Sequence, residues 1–113
     1  MLQIETKYAP PDVVILELSG KLTLGRDCKQ LEWTTENLVR ENQKKVILDL
    51  RGVTHIDSTG IGIIMSSAAQ VKGAGGELRL SGATGHVEEV LKITSVDKVV
   101  PLHATSAAAA AGF

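Results

Sequence analysis

The sequence predicts one α/β domain over residues 1–113, with a mixed, mostly parallel sheet of about four or five strands, about four helices and an opening β-hairpin. The chain of 113 residues has the length of a single domain, and its hydrophobic residues, 43% of the total, include only 3% aromatics. Strand-like and helical segments alternate along the chain. Residues 45–50 form a nearly continuous apolar run, typical of a strand covered on both faces. Strands joined by helices need crossovers and therefore pair in parallel.

The N-terminal segments predict a hairpin followed by a helix. Residues 2–5 and 13–20 alternate apolar and polar side chains, and two prolines between them suit a turn, so residues 2–19 are expected to pair antiparallel. Apolar or small side chains then recur at steps of three and four between residues 27 and 42, namely Cys28, Leu31, Thr35, Leu38, Val39 and Asn42. Trp33 falls on the opposite face, where it serves either as a partner contact or as a cover over its own helix.

The second half of the chain predicts three more helices and two strands. Residues 58–72 are expected to form the second helix, and its core side is predicted to consist of Ile61, Ile64, Met65, Ala68 and Lys72. A strand at 77–82, a helix at 84–94, an edge strand at 97–101 and a helix at 103–113 follow, listed in chain order. Thr84 is a candidate N-cap of the third helix. The alanines of the last helix have strong helix propensity but little to bury, so that helix is expected to be loosely docked or frayed.

Composition excludes several classes of partner. Twelve Lys and Arg against thirteen Asp and Glu give a net charge of −1, and without a basic stretch or aromatic platforms we expect no nucleic-acid binding. No apolar run approaches the roughly 18 to 20 residues that cross a bilayer, so no membrane insertion is expected. A single cysteine and an N-terminus without a signal-peptide pattern predict a cytoplasmic protein.

Residues 54–60 contain a carboxylate and two adjacent hydroxyls between a predicted strand and a predicted helix, a combination typical of a functional site. This segment follows the central strand and opens the second helix, at the carboxyl edge where α/β sheets place their sites. We expect Ser58 or Thr59 to cap the helix, with Asp57 complementing the helix dipole. A hydroxyl exposed there can also carry phosphate, which adds about 1.5 to 2 negative charges beside Asp57. The outward side of the helix is predicted to be a surface of low relief that suits protein docking. It is formed by Thr59, Gly62, Ile63, Ser66 and Gln70.

Catalytic and cofactor-dependent functions find little support. Ser58 at a strand-to-helix bend is similar to a nucleophile elbow, but the Gly-x-Ser-x-Gly pattern fails at Ile56, and none of the three histidines has a spacing that forces it near the serine. One cysteine and scattered histidines give no metal-ligand spacing. The glycines at 73–76 follow a helix and precede a strand, the reverse of a phosphate-binding loop. We therefore predict no enzyme activity, no cofactor and no metal.

Residues 44–82 resemble the signature region of the STAS domain, the fold of anti-sigma-factor antagonists, and the order of strands and helices matches over nearly the whole chain. In that family an Asp-Ser-Ser/Thr-Gly junction carries a serine that an ATP-using anti-sigma kinase phosphorylates. Asp57, Ser58, Thr59 and Gly60 match this junction. The resemblance implies that the unmodified chain binds and sequesters the anti-sigma factor, and that phosphate abolishes binding until a phosphatase removes it.

The resemblance also implies a site around the modified serine. Ser58 is the expected phosphorylation site, and the expected partner-binding residues are Asp57, Thr59, Gly60, Gly62, Ile63, Thr23 and Ser66. Thr23 departs from the family, which often has an acidic residue there that helps to select the kinase; Asp27 is the next carboxylate along the chain.

A second function stays open because STAS domains also serve in stress-signalling assemblies, transporter tails and lipid-transport complexes. In that alternative the chain is a constitutive scaffold subunit, and Ser58 merely caps the helix. The sequence leaves open whether the chain forms a homodimer.

Overall fold

The computed structural model describes residues 2–113, apart from the side chain of Asp27. Five strands form one sheet in chain order, and they are β1 (Gln3–Ala9), β2 (Val13–Leu22), β3 (Lys45–Ile56), β4 (Glu77–Ser81) and β5 (Leu102–His103). The helices of the described residues are α1 (Arg26–Arg40), α2 (Ser58–Gly73), α3 (Gly85–Ile93) and α4 (Ser106–Ala111), with a 3₁₀ turn at Val96–Lys98.

The pairing of the strands confirms the predicted mixed sheet. β1 and β2 form the antiparallel hairpin, and the later pairs are parallel. β2 and β3 stay in contact to their last residues, where Leu22 lies opposite Ile56. The loop after β2 and the start of α2 therefore emerge side by side at the carboxyl edge of the sheet.

The core is aliphatic and lies mainly on one face of the sheet. Alternate residues of the central strands are fully buried there, including Leu16 of β2 and Leu48 of β3, because successive side chains of a strand point to opposite faces. The first three helices contribute buried residues to this cluster, such as Leu31, Ile64 and Leu91. A smaller cluster around Val13, Ile47 and Ala109 joins α4 to the other face.

The prediction of a loosely docked C-terminal helix is wrong. Ala109 is completely buried, and Arg79 of β4 reaches the end of α4. Its Nη1 donates a hydrogen bond to the carbonyl of Ala109 (2.8 Å), and its Nη2 donates to the carbonyl of Gly112 (2.9 Å). The guanidinium carbon also lies 3.8 Å from the ring centroid of Phe113. A single cation from a neighbouring strand thus satisfies carbonyls at the helix end and holds the alanine helix in place.

The predicted edge strand at 97–101 is also wrong. Residues Val96–Lys98 form a 3₁₀ turn, and the amide of Val100 donates to the carbonyl of Val96 at 2.8 Å. Both valines are buried, so their spacing of four residues reflects a helical turn rather than a strand. The edge strand is β5, which begins after Pro101. No helix in the described part of the chain combines the length and apolar character needed to cross a bilayer.

Candidate functional site

Asp57 caps the N-terminus of α2. Its backbone is extended (φ −117°, ψ −174°), and its Oδ1 accepts a hydrogen bond from the amide of Gly60 at 2.9 Å. The prediction that Ser58 or Thr59 caps the helix is therefore wrong. A capping side chain must belong to the extended residue that precedes the first helical residue, and Ser58 already lies within α2.

The second oxygen of Asp57 ties α2 to the loop after β2. Oδ2 accepts a hydrogen bond from the amide of Leu24 at 2.9 Å, across 33 positions of sequence. The bonds from the amides of Gly60 and Leu24 lower the pKa of Asp57 below its ordinary value, against a smaller opposing effect of burial. The carboxylate therefore stays charged at neutral pH, and it fixes a negative charge at the start of the helix.

The loop Thr23–Gly25 is held from its other side as well. The thiol of Cys28, in the first turn of α1, donates to the carbonyl of Thr23 at 2.8 Å. Gly25 has a φ of +147°, which a side chain would disfavour, and α1 begins at the next residue. Thr23, predicted as part of the partner surface, is half-buried in this loop. The prediction for Asp27 concerns a side chain outside the described residues.

Gly60 lets α2 approach the end of β2. It is buried, and a Cβ at this position would collide with the carbonyl oxygen of Leu22 and would lie 2.9 Å from Cγ1 of Ile56. Gly60, also predicted as a partner-binding residue, lies beneath the surface that its neighbours form. Its contribution to that surface is the close packing that brings Ser58 and the loop after β2 together.

Ser58 is the first residue of α2 and is exposed. Within residues 2–113, its hydroxyl makes no hydrogen bond to another group. Because Asp57 already caps the helix, the hydroxyl of Ser58 has no capping role. It is accessible to a modifying enzyme beside a fixed carboxylate.

The outward side of α2 has low relief. Gly62 and Ser66 follow Ser58 at steps of four residues, and all three are exposed, whereas Thr59 and Ile63 are half-buried. Ile63 packs against the core, and Ser66 donates to its carbonyl at 3.3 Å. The buried side of the helix consists of Gly60, Ile64, Ser67 and Val71, so the predicted core position of Lys72, which is exposed, is wrong.

The structure adds Leu24 to the site, a residue that sequence reasoning missed. Its side chain is 80% exposed, although its amide is bonded to Asp57. The signal in the sequence was an apolar residue placed between Thr23 and Gly25 in a predicted loop, where burial gives no reason for it.

The exposed residues of the candidate site lie at the start of α2 and in the loop after β2. A cavity of about 620 Å³ lies elsewhere, along β1, β2 and β3, and its lining includes Glu17, Asp49 and Arg51 but none of the predicted site residues. No group of three or more His, Cys, Asp or Glu side chains that could hold a metal occurs within the described part of the chain.

The sequence matches the STAS domain over residues 5–109, and the chain belongs to that family. This result confirms the resemblance at residues 44–82, and the order of strands and helices described above agrees with it.

Three known proteins illustrate the similarity. A Thermotoga neapolitana protein that carries a provisional name as an anti-sigma factor antagonist is 31% identical over 94 residues, which cover 83% of each chain. The crystal structure of a Thermotoga maritima protein with the same provisional name has a TM-score of 0.88 at 26% identity, covering 96% of this chain and 92% of that one. The Bacillus protein SpoIIAA in its phosphorylated form has a TM-score of 0.73 at 15% identity, covering 95% and 96%. This last likeness shows the fold alone.

Proposed function

We propose that this chain is an anti-sigma factor antagonist, a binding protein rather than an enzyme, whose binding is switched by phosphorylation of Ser58. The observation that carries the proposal is an exposed serine hydroxyl at the start of α2 whose capping role is taken by Asp57. The names of the relatives support the class of partner, an anti-sigma factor. The serine kinase activity of that partner is part of the proposal. A phosphatase would reverse the modification. Since an anti-sigma factor acts where transcription occurs, the proposal places the chain in the cytoplasm.

The charge at the site explains how phosphate would act. Unmodified, the start of α2 carries the anionic carboxylate of Asp57 next to an uncharged hydroxyl. A phosphoryl group on Ser58 would add about 1.5 to 2 negative charges beside it. Each acidic group of a docked partner near this point would then cost on the order of 1 to 3 kcal/mol. One such interaction weakens binding by up to roughly a hundredfold.

The shape of the site supports docking in the unmodified state. Ser58, Gly62 and Ser66 present small side chains along one exposed line of α2, so the main chain of a partner can approach the helix closely. A phosphoryl group at the first of these positions would occupy the space that the partner needs. Steric exclusion and charge repulsion therefore act in the same direction.

Binding of matched variants tests the proposal. Ser58→Ala and Ser58→Asp proteins are titrated with the purified anti-sigma kinase encoded nearest to this gene. We expect Ser58→Ala to bind like the unmodified protein and Ser58→Asp to bind up to about a hundredfold more weakly. Ser95→Asp, an exposed substitution after the far end of α3, is the control for added charge and should bind normally. Equal affinity of the two Ser58 variants would contradict a charge switch.

A constitutive scaffold is the second candidate, and Thr23 is the observation that favours it. This residue stands where the family often has the acidic residue that helps to select the kinase. A scaffold that never carries phosphate would gain no mass on incubation with ATP and the kinase. Intact-mass analysis after that incubation therefore separates the two functions.

A further inference from the structure

Leu24 differs from the other exposed apolar residues of the chain. Five large apolar side chains are exposed among the described residues, and they are Tyr8, Leu24, Trp33, Ile93 and Val99. Leu24 has the highest exposed fraction of these, 80%. Its amide also donates directly to the carboxylate that caps α2. Single exposed apolar residues are common, but this one is fixed at the candidate site.

We propose that Leu24 is the apolar contact that this chain inserts into a pocket of the anti-sigma factor. The proposal rests on the proposed function of the Ser58 site and extends its surface from α2 onto the loop Thr23–Gly25. The proposal commits to one occupant, an anti-sigma factor whose pocket is apolar and carries acidic groups at its rim.

The loop is preorganised to present this side chain. The amide of Leu24 is bonded to Asp57 at 2.9 Å, and the carbonyl of Thr23 accepts the thiol of Cys28 at 2.8 Å. The amide of Asp57 also donates to the carbonyl of Leu22 at 3.4 Å. The main chain that leads into Leu24 is therefore held, at both the carbonyl and the amide of the Thr23–Leu24 peptide unit, before a partner arrives. A fixed loop loses less conformational freedom on binding, so a larger share of the contact energy appears as affinity.

Charge around the loop indicates the chemistry of the partner. Residues 21–29 include three exposed basic side chains, Lys21, Arg26 and Lys29, and these positive charges outnumber the two carboxylates nearby, those of Asp27 in the sequence and of Asp57 at the loop. An apolar pocket with acidic rim groups complements this arrangement. The same acidic groups would repel a phosphoryl group on Ser58, because Ser58 follows Asp57 directly in the chain and Asp57 accepts the amide of Leu24. One partner surface thus accounts both for attraction to the loop and for release by phosphate.

Affinity measurements on three variants test the contact. The unmodified protein, Leu24→Ala, Leu24→Met and Ile93→Ala are titrated with the purified anti-sigma kinase encoded nearest to this gene. A buried apolar anchor predicts a loss of about 30-fold for Leu24→Ala. Leu24→Met keeps the apolar volume and should stay within about threefold. Ile93→Ala removes a similar apolar side chain from an exposed residue at the end of α3, and this control should bind normally. Thermal unfolding of all four proteins should show similar midpoints.

Two results would overturn the inference, and only one of them would also overturn the proposed function. If the unmodified protein binds and phosphate releases it, but Leu24→Ala binds as tightly as Ile93→Ala, the contact is contradicted and the phosphoswitch stands. If the unmodified protein does not bind the kinase, the proposed function fails and the contact fails with it.

Discussion

Helices α2 and α4 both begin with a polar cap residue followed by serine, but they differ in what surrounds that serine. At α2 the carboxylate of Asp57 accepts the amide of Gly60, and at α4 the hydroxyl of Thr105 accepts the amide of Ala108 at 3.1 Å. Each cap is followed by a serine as the first helical residue. The two helix starts are therefore equivalent in local geometry.

The two serines have different environments. Ser106 is half-buried, and its hydroxyl shares a hydrogen bond of 2.9 Å with that of Ser81. Ser58 is exposed and lies next to a carboxylate whose pKa is lowered chiefly by the backbone amides of Gly60 and Leu24. A serine at a helix start is therefore not a candidate for regulation by position alone. Exposure and a neighbouring fixed charge distinguish Ser58.

The largest expected effect concerns the third helical residue, where α2 has glycine and α4 has alanine. Gly60→Ala places a methyl group against the carbonyl of Leu22 and the side chain of Ile56, so we expect a loss of about 2 to 3 kcal/mol in the free energy of unfolding. Gly62→Ala, where the added carbon meets nothing within 4 Å, should instead stabilise by about 0.5 to 1 kcal/mol. Urea denaturation measures both, and equal stability of the two variants would contradict the close approach of α2 to β2.

The next effect concerns the two caps. Asp57→Ala removes the acceptor for the amides of both Gly60 and Leu24, and we expect it to destabilise the protein by about 1 to 2 kcal/mol. Thr105→Ala removes an acceptor for one amide and should cost about 1 kcal/mol or less. If chemical denaturation shows the larger loss for Thr105→Ala, the role of Asp57 in joining α2 to the loop after β2 is wrong.

The smallest effect is a difference in pH dependence between the caps. Because the folded-state pKa of Asp57 is lowered, its ionised form stabilises the fold above the ordinary pKa of about 3.9, and this contribution is lost as the pH falls through the folded-state value. The stability difference between the unmodified protein and Asp57→Asn should therefore shrink below about pH 4. The stability difference between the unmodified protein and Thr105→Ala should not change in this pH range, because the hydroxyl of Thr105 does not ionise there. Denaturant titrations between neutral and acidic pH measure both.

Most of the fold was predictable because short stretches of sequence determine its strands, helices and turns. Alternation in the hairpin, the apolar run of β3 and the glycines after α2 each identify an element from a few neighbouring residues. The edge strand was misplaced because the adjacent Val99 and Val100 before Pro101 fit either a short strand or the end of a turn. Only the hydrogen bond from the amide of Val100 to the carbonyl of Val96 identifies the turn.

The site was predictable only in part, because its details depend on contacts between distant residues. The sequence identified residues 57–60 as the junction between β3 and α2. Which of them caps α2 depends on the position of the last extended residue, and the prediction missed that position by at least one residue. The docking of α4 depends on Arg79, which lies 30 positions before Ala109. The main chain of Leu24 is tied to the start of α2 by a bond to Asp57 that no spacing rule predicts.

Mapping the phosphoryl group tests the central claim most directly. The chain is incubated with ATP and the anti-sigma kinase, and its intact mass and modified peptide are measured for the unmodified protein, Ser58→Ala and Ser106→Ala. The account predicts one phosphoryl group on the unmodified protein and on Ser106→Ala, located at Ser58, and none on Ser58→Ala. A phosphoryl group that persists in Ser58→Ala, or its absence from the unmodified protein, would contradict the assignment of Ser58 as the switch.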